Sequence, residues 1–165
     1  MKNITLSTHE KEMLEWFAGS RQWDENIAIL HEKLKENVIC ELYRGLPFQE
    51  QLIKKGTVIE EWYGSSHWTT DENIARNFSK DYISEGLIEE IMQEQKLSED
   101  AAYELFVPLI MHLDGAEGVP LYEYVSCFEH EKEINIHGSD FIIHNVWKEG
   151  EIYHVNVKEV NQTIE

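Results

Sequence analysis

Apolar residues recur at helical spacing in the first part of the chain. Ser7 and Glu10 form the sequence of a capping box, and the apolar stripe that follows them ends at Gly19. Asp24 can cap a second helix, which continues to about residue 36. We expect these two helices to cover one side of the protein. Their inward stripes are Met13, Leu14, Trp16 and Phe17 in the first, and Ile27, Leu30 and Leu34 in the second.

From Val38 onwards, short β-prone runs replace the helical spacing. The first run is predicted to end at Arg44 and Gly45, because Pro47 lacks the amide hydrogen that a strand needs. The pattern further predicts strands at 57–63, 103–113, 134–136, 141–143 and 151–160, helices at 49–55, 71–78 and 82–96, a loop at 114–120, and a strand or loop at 122–126.

Strands that follow an initial helical layer indicate an α+β fold. The length of 165 residues suits one domain, which we expect to comprise a helical layer at 1–36 and a β-rich core at 38–160. The domain prediction therefore covers 1–165 as a single unit.

Composition narrows the classes of partner. Hydrophobic residues make up 42% of the chain, which is enough apolar surface for a folded core despite the acidity. The formal charge of −18 disfavours tight binding to nucleic-acid phosphates or anionic membranes, because such binding needs clustered Lys and Arg. The charge favours a basic protein as the partner.

The two cysteines and the apolar segments of the chain indicate the cellular compartment of the protein. Cys40 and Cys127 each lie inside a β-prone apolar run, which predicts two reduced, buried thiols. The N-terminal residues lack the apolar stretch of a signal peptide, and no segment has the roughly 20 apolar residues of a membrane span. These features predict a cytoplasmic protein.

Two glutamates one residue apart carry the most chemical information. Strand-like alternation would place the carboxylates of Glu131 and Glu133 on the same face of a sheet. A solvated acidic strand face is the alternative interpretation in a chain with 32 acidic residues. The motifs upstream favour a chemical role for the pair.

Three motifs occur in a fixed order along the chain. Arg44 and Gly45 follow the first β-prone run, a hydroxyl-bearing segment at 65–70 leads into a helix with the spacing Ala-x-x-Phe, and the Glu-x-Glu pair precedes an aliphatic strand. In this order the motifs resemble the mono-ADP-ribosyltransferases of the Arg-Ser-Glu class. The similarity is closest to the small bacteriophage enzymes that modify host proteins, and it covers about residues 38 to 160.

The resemblance implies a fold and a co-substrate. The expected fold has N-terminal helices packed on a mixed, mainly antiparallel two-sheet core. NAD is the expected co-substrate, and its diphosphate would be anchored by the Arg44 guanidinium, while Gly45 would allow a ligand or the backbone to approach closely. A surface ion pair is the alternative role for Arg44.

The hydroxyl-bearing segment corresponds to the Ser-Thr-Ser strand of the family. Its last hydroxyl aligns with Thr69, and the first serine role passes to Ser66, so both are expected to brace the NAD pocket. Trp68 either offers a ring to the nicotinamide or adenine or belongs to the core. Phe78 of the Ala-x-x-Phe helix is also predicted to contact the cofactor. His67 is interpreted as a partly exposed strand residue rather than a base.

The family resemblance assigns the two glutamates distinct roles. Glu133 would stabilise the oxocarbenium ion that forms when nicotinamide leaves. Glu131 would hold and help deprotonate the acceptor, a role that implies arginine as the modified side chain. The expected partner is a host protein that is basic or associated with nucleic acid, without direct nucleic-acid binding by this chain. The alternatives are an NAD glycohydrolase and a non-catalytic acidic binding or inhibitor protein.

The eight histidines are dispersed along the sequence, and neither His-x-x-x-His nor Cys-x-x-Cys spacing occurs. We therefore predict no metal site from the sequence.

Overall fold

The computed structural model describes residues 4–60, 65–125 and 129–161. In chain order, its helices and strands are α1 (Thr8–Ser20), α2 (Glu25–Leu34), β1 (Glu36–Gln49), β2 (Val58–Ile59), β3 (Ser65–Thr69), α3 (Glu72–Phe78), α4 (Glu85–Gln95), α5 (Glu99–Glu104), β4 (Phe106–Pro120), β5 (Glu133–His137), β6 (Ser139–Glu149) and β7 (Ile152–Asn161). Short 3₁₀ turns occupy Glu50–Leu52, Leu121–Glu123 and Glu129–Glu131.

The helices begin where side chains can accept hydrogen bonds from their first amides. At α1 the Ser7 hydroxyl accepts from the Glu10 amide at 3.1 Å, and the Glu10 carboxylate accepts from the Ser7 amide at 3.0 Å. Asp24 caps α2 in the same way, accepting from the Ile27 amide at 2.8 Å. Trp16, which was predicted to face inward, is 46% exposed. The buried residues of both helices form one apolar cluster with Leu6 and with residues at and just after the end of β4: Leu6, Leu14, Phe17, Ala18, Ile27, Leu30, Leu34, Val119, Leu121 and Val125.

The strands form one connected sheet in the order β1-β3-β5-β4-β7-β6-β2, and β1 also pairs with β4. Only the β4–β7 pair is parallel among the described pairs. The structure thus has the predicted α+β class and mainly antiparallel pairing, whereas the division into two sheets stays a prediction. Because β1 and β5 both pair with β3 and with β4, these four strands close a ring that brings distant motifs together.

The predicted end of the first strand is wrong. β1 continues through Arg44, Gly45 and Pro47 because it pairs with β4 over almost its whole length. Pro47 lies directly opposite Pro108, so the two missing amide donors fall at a single register position. Arg44 therefore lies within a strand and not at its end.

Other boundaries also differ from the sequence predictions. The loop expected at 114–120 belongs to β4, where residues 116–118 pair with the start of β1. The helix expected at 49–55 is only a 3₁₀ turn, and α5 was not predicted. The described part of the strand predicted at 57–63 is Val58–Ile59, and the later residues lie partly outside the described ranges.

The main core lies between the strands. Its buried members are Leu42, Ile53, Ile59, Trp68, Leu109, Met111, Leu113, Ile134, Ile136, Phe141, Ile143, Val155 and Val157. The prediction of a buried Cys40 is wrong, because this thiol is exposed next to the bulge between Val38 and Glu41. Cys127 lies outside the described residues. Among the described helices, each is too short or too polar to cross a membrane.

His31 fastens α2 to the sheet and makes stability depend on pH. Its Nε2 donates to the main-chain oxygen of Asn135 at 3.1 Å, and burial lowers the pKa of His31 from 6.5 to about 4. Because the folded pKa is the lower one, the contribution is complete above pH 6.5 and declines as the pH falls towards 4. We expect a loss of up to about 3 kcal/mol in unfolding free energy over this window.

Chemical denaturation at pH 7 and pH 4 measures this loss in the wild type and in His31→Gln. The glutamine does not titrate, so each protein is compared with its own stability at pH 7, and the variant should lose less on acidification. Equal losses in both proteins would remove His31 as the source of the pH dependence.

Candidate active site

A pocket of about 250 Å³ lies where β1, β3 and the start of β5 meet. It contains most of the predicted site residues, whose positions range from 44 to 133 in the sequence. Their catalytic and binding roles stay predictions. The lining residues are Arg21, Tyr43, Arg44, Gly45, Leu46, His67, Trp68, Thr69, Phe78, Glu131 and Glu133.

The sheet register explains this assembly. Tyr43 of β1 lies opposite Thr69 of β3, and Thr69 lies opposite Glu133 of β5. Directly opposed residues project to the same face of an antiparallel pair. The register therefore sets the three motifs side by side.

Glu131 reaches the pocket by a different route from the predicted one. It ends the turn Glu129–Glu131, and Lys132 has a φ of 48° before Glu133 begins β5. The expectation that strand alternation puts both carboxylates on one face is therefore wrong. The Thr69 hydroxyl donates to the main-chain oxygen of Glu131 at 2.8 Å and fixes this turn beside the pocket.

Glu133 is buried and paired with two nitrogen donors. Only 4% of its surface is exposed, and its carboxylate lies 2.7 Å from Arg21 Nη1 and 2.6 Å from His67 Nδ1. Burial alone would raise the pKa of Glu133, but the hydrogen bond with His67 and the Arg21 charge outweigh it and lower the pKa below 4.5. The Glu133 carboxylate is consequently ionised at neutral pH.

His67 of β3 is a hydrogen-bond partner of Glu133 that the sequence interpretation did not predict. Burial lowers the pKa of His67 despite the neighbouring Glu133 carboxylate, so the neutral ring donates from Nδ1 to Glu133. Asn135, which is fully buried and lies opposite His67 in the sheet, donates to the Ser65 hydroxyl at 3.1 Å. This row of polar side chains supports the Glu133 end of the pocket.

Ser66 does not have the predicted place in the pocket. It is fully buried, and its hydroxyl accepts from Trp68 Nε1 at 2.8 Å, because alternation turns both residues away from Thr69. Trp68 is 1% exposed and packs on Phe141 with ring centroids 4.9 Å apart. The Trp68 ring therefore belongs to the core, as one of the two sequence interpretations predicted. The Ser66 hydroxyl holds the ring in position.

Gly45 allows the backbone of α3 to lie very close to β1. A Cβ atom at this position would lie 1.6 Å from the Ala75 carbonyl oxygen and 2.7 Å from the Ser79 amide nitrogen. Only glycine lets α3 pack this tightly against β1. Phe78, near the end of α3, thereby reaches the pocket wall.

Sequence reasoning missed Arg21 and the role of His67. His67 was detectable, because it lies two residues before Thr69 and so shares its strand face. Arg21 carried no comparable signal, since it lies 112 residues from Glu133 and just beyond α1. It has a φ of 58° and 35% of its side chain exposed, and its Nη2 also lies 4.0 Å from Glu131.

A second pocket of about 320 Å³ adjoins the first and shares Arg44 and Leu46 with it. The side chains around it are mostly apolar. The remaining lining residues are Pro47, Phe48, Gln49, Leu52, Val58, Ile59, Glu60, Leu87 and Phe106. Arg44 therefore lies at the junction of the two pockets and borders both of them.

No protein-family model and no curated protein matches the sequence. Solved structures do match. The Vis toxin, an ADP-ribosyltransferase from Vibrio splendidus, is 15% identical with a TM-score of 0.64, and the match covers 95% of this chain and 75% of that chain. The Vis structure in complex with agmatine is 16% identical with a TM-score of 0.65, covering 95% and 76%. The protein described here therefore has the fold of an ADP-ribosyltransferase.

Proposed function

We propose that this protein is an NAD-dependent mono-ADP-ribosyltransferase that modifies an arginine side chain of a protein target and releases nicotinamide. One observation carries the proposal: a buried, ionised Glu133 shares a pocket with Glu131, Arg44 and Thr69 in a chain of this fold. The site residues come from three separate strands and turns. Their convergence would be improbable if the motifs were chance strings.

NAD fits the arrangement of the two pockets. A dinucleotide consists of two halves joined by a diphosphate, and Arg44 borders both pockets at their junction. A guanidinium can donate two parallel hydrogen bonds to phosphate oxygens. We assign the nicotinamide riboside half to the pocket with Glu133 and the other half to the apolar pocket beside Pro47.

The reaction requires a cation to be stabilised and a proton to be removed. The bond between ribose C1 and the nicotinamide nitrogen breaks, and nicotinamide leaves with the electron pair. The Glu133 carboxylate lies where it can stabilise the positive charge on the ribose, and its burial strengthens that interaction. A guanidine nitrogen of the acceptor then bonds to C1, and Glu131 takes up the proton that it loses.

Arg21, together with the hydrogen bond from His67, keeps the Glu133 carboxylate ionised before NAD binds. Its guanidinium contacts Glu133 directly and approaches Glu131, which is the position proposed for an acceptor arginine. The acceptor interpretation draws support from the likeness to Vis, which has been solved in complex with agmatine, itself a guanidine compound. We infer that an entering guanidinium displaces Arg21 from Glu131.

The net charge of −18 supports a basic protein as the target, such as a nucleic-acid-associated protein of a host cell. An acidic enzyme approaches a basic target faster than a neutral one would. The sequence resemblance adds a bacteriophage setting to this proposal.

Nicotinamide release from NAD, measured with and without agmatine, tests the function. A transferase should release nicotinamide faster with agmatine and yield an ADP-ribosyl guanidine adduct detectable by mass spectrometry. Release that ignores agmatine and yields no adduct would indicate a glycohydrolase. Absence of release under all conditions, including added host lysate, would favour a non-catalytic acidic binding protein.

Arg44→Lys is expected to weaken NAD binding by about 10- to 100-fold, because an ammonium group cannot donate the same paired hydrogen bonds to the diphosphate. Calorimetry with NAD measures the affinity, and thermal denaturation measures the fold. Arg76→Lys is the matched control, because Arg76 lies on α3 and its Nη2 is 3.6 Å from Glu72. Equal NAD affinities in both variants would leave Arg44 with a structural role only.

A further inference from the structure

Two buried histidines and a glutamate meet outside the pocket described above. His112 Nε2 lies 2.8 Å from His154 Nδ1, and Glu72 Oε1 lies 4.0 Å from the same His154 nitrogen. The three side chains come from β4, β7 and the first residue of α3. One ligand atom from each lies within 4.8 Å of the other two.

With one proton on each ring, the two imidazole rings cannot donate both to each other and to the two outer carboxylates. His112 Nδ1 lies 2.9 Å from a Glu41 oxygen, so it must carry a proton and donate it. His112 Nε2 then accepts from His154 Nδ1, which leaves His154 Nε2 without a proton. That nitrogen has no hydrogen-bond partner in the described structure, although Glu149 Oε2 lies 3.7 Å away and His154 is only 1% exposed.

The opposite pair of tautomers leaves His112 Nδ1, instead of His154 Nε2, without a proton. If His154 Nε2 carries a proton towards Glu149, His154 Nδ1 must accept from His112 Nε2. His112 Nδ1 then directs a lone pair at the Glu41 carboxylate. Three positions could each hold a proton, whereas one proton on each ring fills only two of them. A cation between the rings would remove the conflict.

We propose that His112 Nε2, His154 Nδ1 and the Glu72 carboxylate bind a divalent transition-metal ion, with Zn²⁺ as the best match. The ion replaces the shared proton, so both outer nitrogens are protonated and point towards Glu41 and Glu149. Histidine ligands of metals usually donate their second N–H to a carboxylate or carbonyl oxygen. Two imidazoles and one carboxylate are a usual zinc ligand set, with water as the fourth ligand.

The required movement is small. Zinc–nitrogen distances of about 2.0–2.1 Å in a tetrahedron separate two nitrogens by about 3.3 Å, so the rings must open by about 0.5 Å. Glu72 is partly exposed and pairs with Arg76 at 3.6 Å, so its carboxylate must turn from that surface pair towards the ion. A bound ion would link the start of α3 to β4 and β7.

The experiment uses the full chain after treatment with a chelator. Calorimetric titration with ZnCl₂ should give one ion per chain, and Zn²⁺ at a hundredfold excess over Kd should raise Tm by about 5–10 °C. MgCl₂ at the same concentration should change neither signal, because Mg²⁺ prefers oxygen ligands. The readout needs no enzymatic activity, so its outcome is independent of the proposed function.

Variants distinguish this site from adventitious binding. Glu72→Gln, which changes a partly exposed residue, should lower Zn²⁺ affinity at least tenfold while keeping the Tm of the metal-free protein. Glu94→Gln is the matched control on the exposed face of α4 and should bind like the wild type. Co²⁺ in the wild type should show the visible absorption of a tetrahedral site. Absence of Zn²⁺ binding, or binding unchanged in both Glu72→Gln and His112→Gln, overturns the proposal.

Discussion

Glu133→Gln is expected to slow nicotinamide release by about 100- to 1000-fold or more, because it removes the charge that we propose stabilises the ribosyl cation. The amide has nearly the same volume as the carboxylate, so the pocket keeps its shape. His67 can still donate to the amide oxygen, and the partly exposed Arg21 guanidinium can turn to water. We therefore expect the fold and much of the NAD affinity to survive the substitution.

Single-turnover measurement of nicotinamide release tests this expectation, with thermal denaturation and NAD calorimetry on the same protein samples. Glu94→Gln is the control for loss of one negative charge from an acidic chain, because Glu94 lies on the exposed face of α4. Turnover near the wild-type rate in Glu133→Gln would end the assignment of Glu133 as the catalytic carboxylate.

Local signals in the sequence were sufficient for much of the fold. Ser7 and Asp24 cap the helices that their positions predicted, because capping depends only on neighbouring residues. The order of the three motifs predicted most of the motif residues that share the pocket, with Ser66 as the exception. Thr69 and Glu133 meet there because they lie directly opposite each other in an antiparallel pair, and Arg44 is next to Tyr43, which lies opposite Thr69.

The sequence predictions were wrong where long-range pairing decides the outcome. β1 passes through Pro47 because β4 provides a partner along its length, which propensity alone cannot indicate. Glu131 lies in a turn held by the Thr69 hydroxyl, a contact across 62 residues. The proximity of His112 and His154 likewise follows from the parallel pairing of β4 with β7 and has no signature in sequence spacing.

The contact between Arg21 and Glu133 also spans a long stretch of sequence, so local sequence patterns could not predict it. Its left-handed backbone at the end of α1 directs the guanidinium towards Glu133, but the sequence around it predicts only a helix end. A buried carboxylate in a strongly acidic chain needs such a counter-charge if it is to stay ionised. The helical layer thus takes part in the electrostatics of the site.

Glu131→Gln is expected to separate transfer from hydrolysis: transfer of ADP-ribose to agmatine should be almost abolished, whereas slow NAD cleavage should remain. Glu133 keeps its own contacts with Arg21 and His67 and can still stabilise the ribosyl cation. Glu131 lies one turn earlier, with its main-chain oxygen held by Thr69, so the substitution leaves the backbone bond intact. Only the side chain that would hold and deprotonate the guanidine is changed.

The decisive quantity is the ratio of ADP-ribosyl agmatine formed to nicotinamide released, measured in one reaction for wild type and variant. The ratio should fall at least tenfold in Glu131→Gln, because water replaces the guanidine as the acceptor of the ribosyl cation. Glu133→Gln provides the contrast, since both products should decline together there. If Glu131→Gln also loses both activities in proportion, or keeps its transfer ratio, then Glu131 does not select the acceptor, and the proposal of an arginine target loses its structural basis.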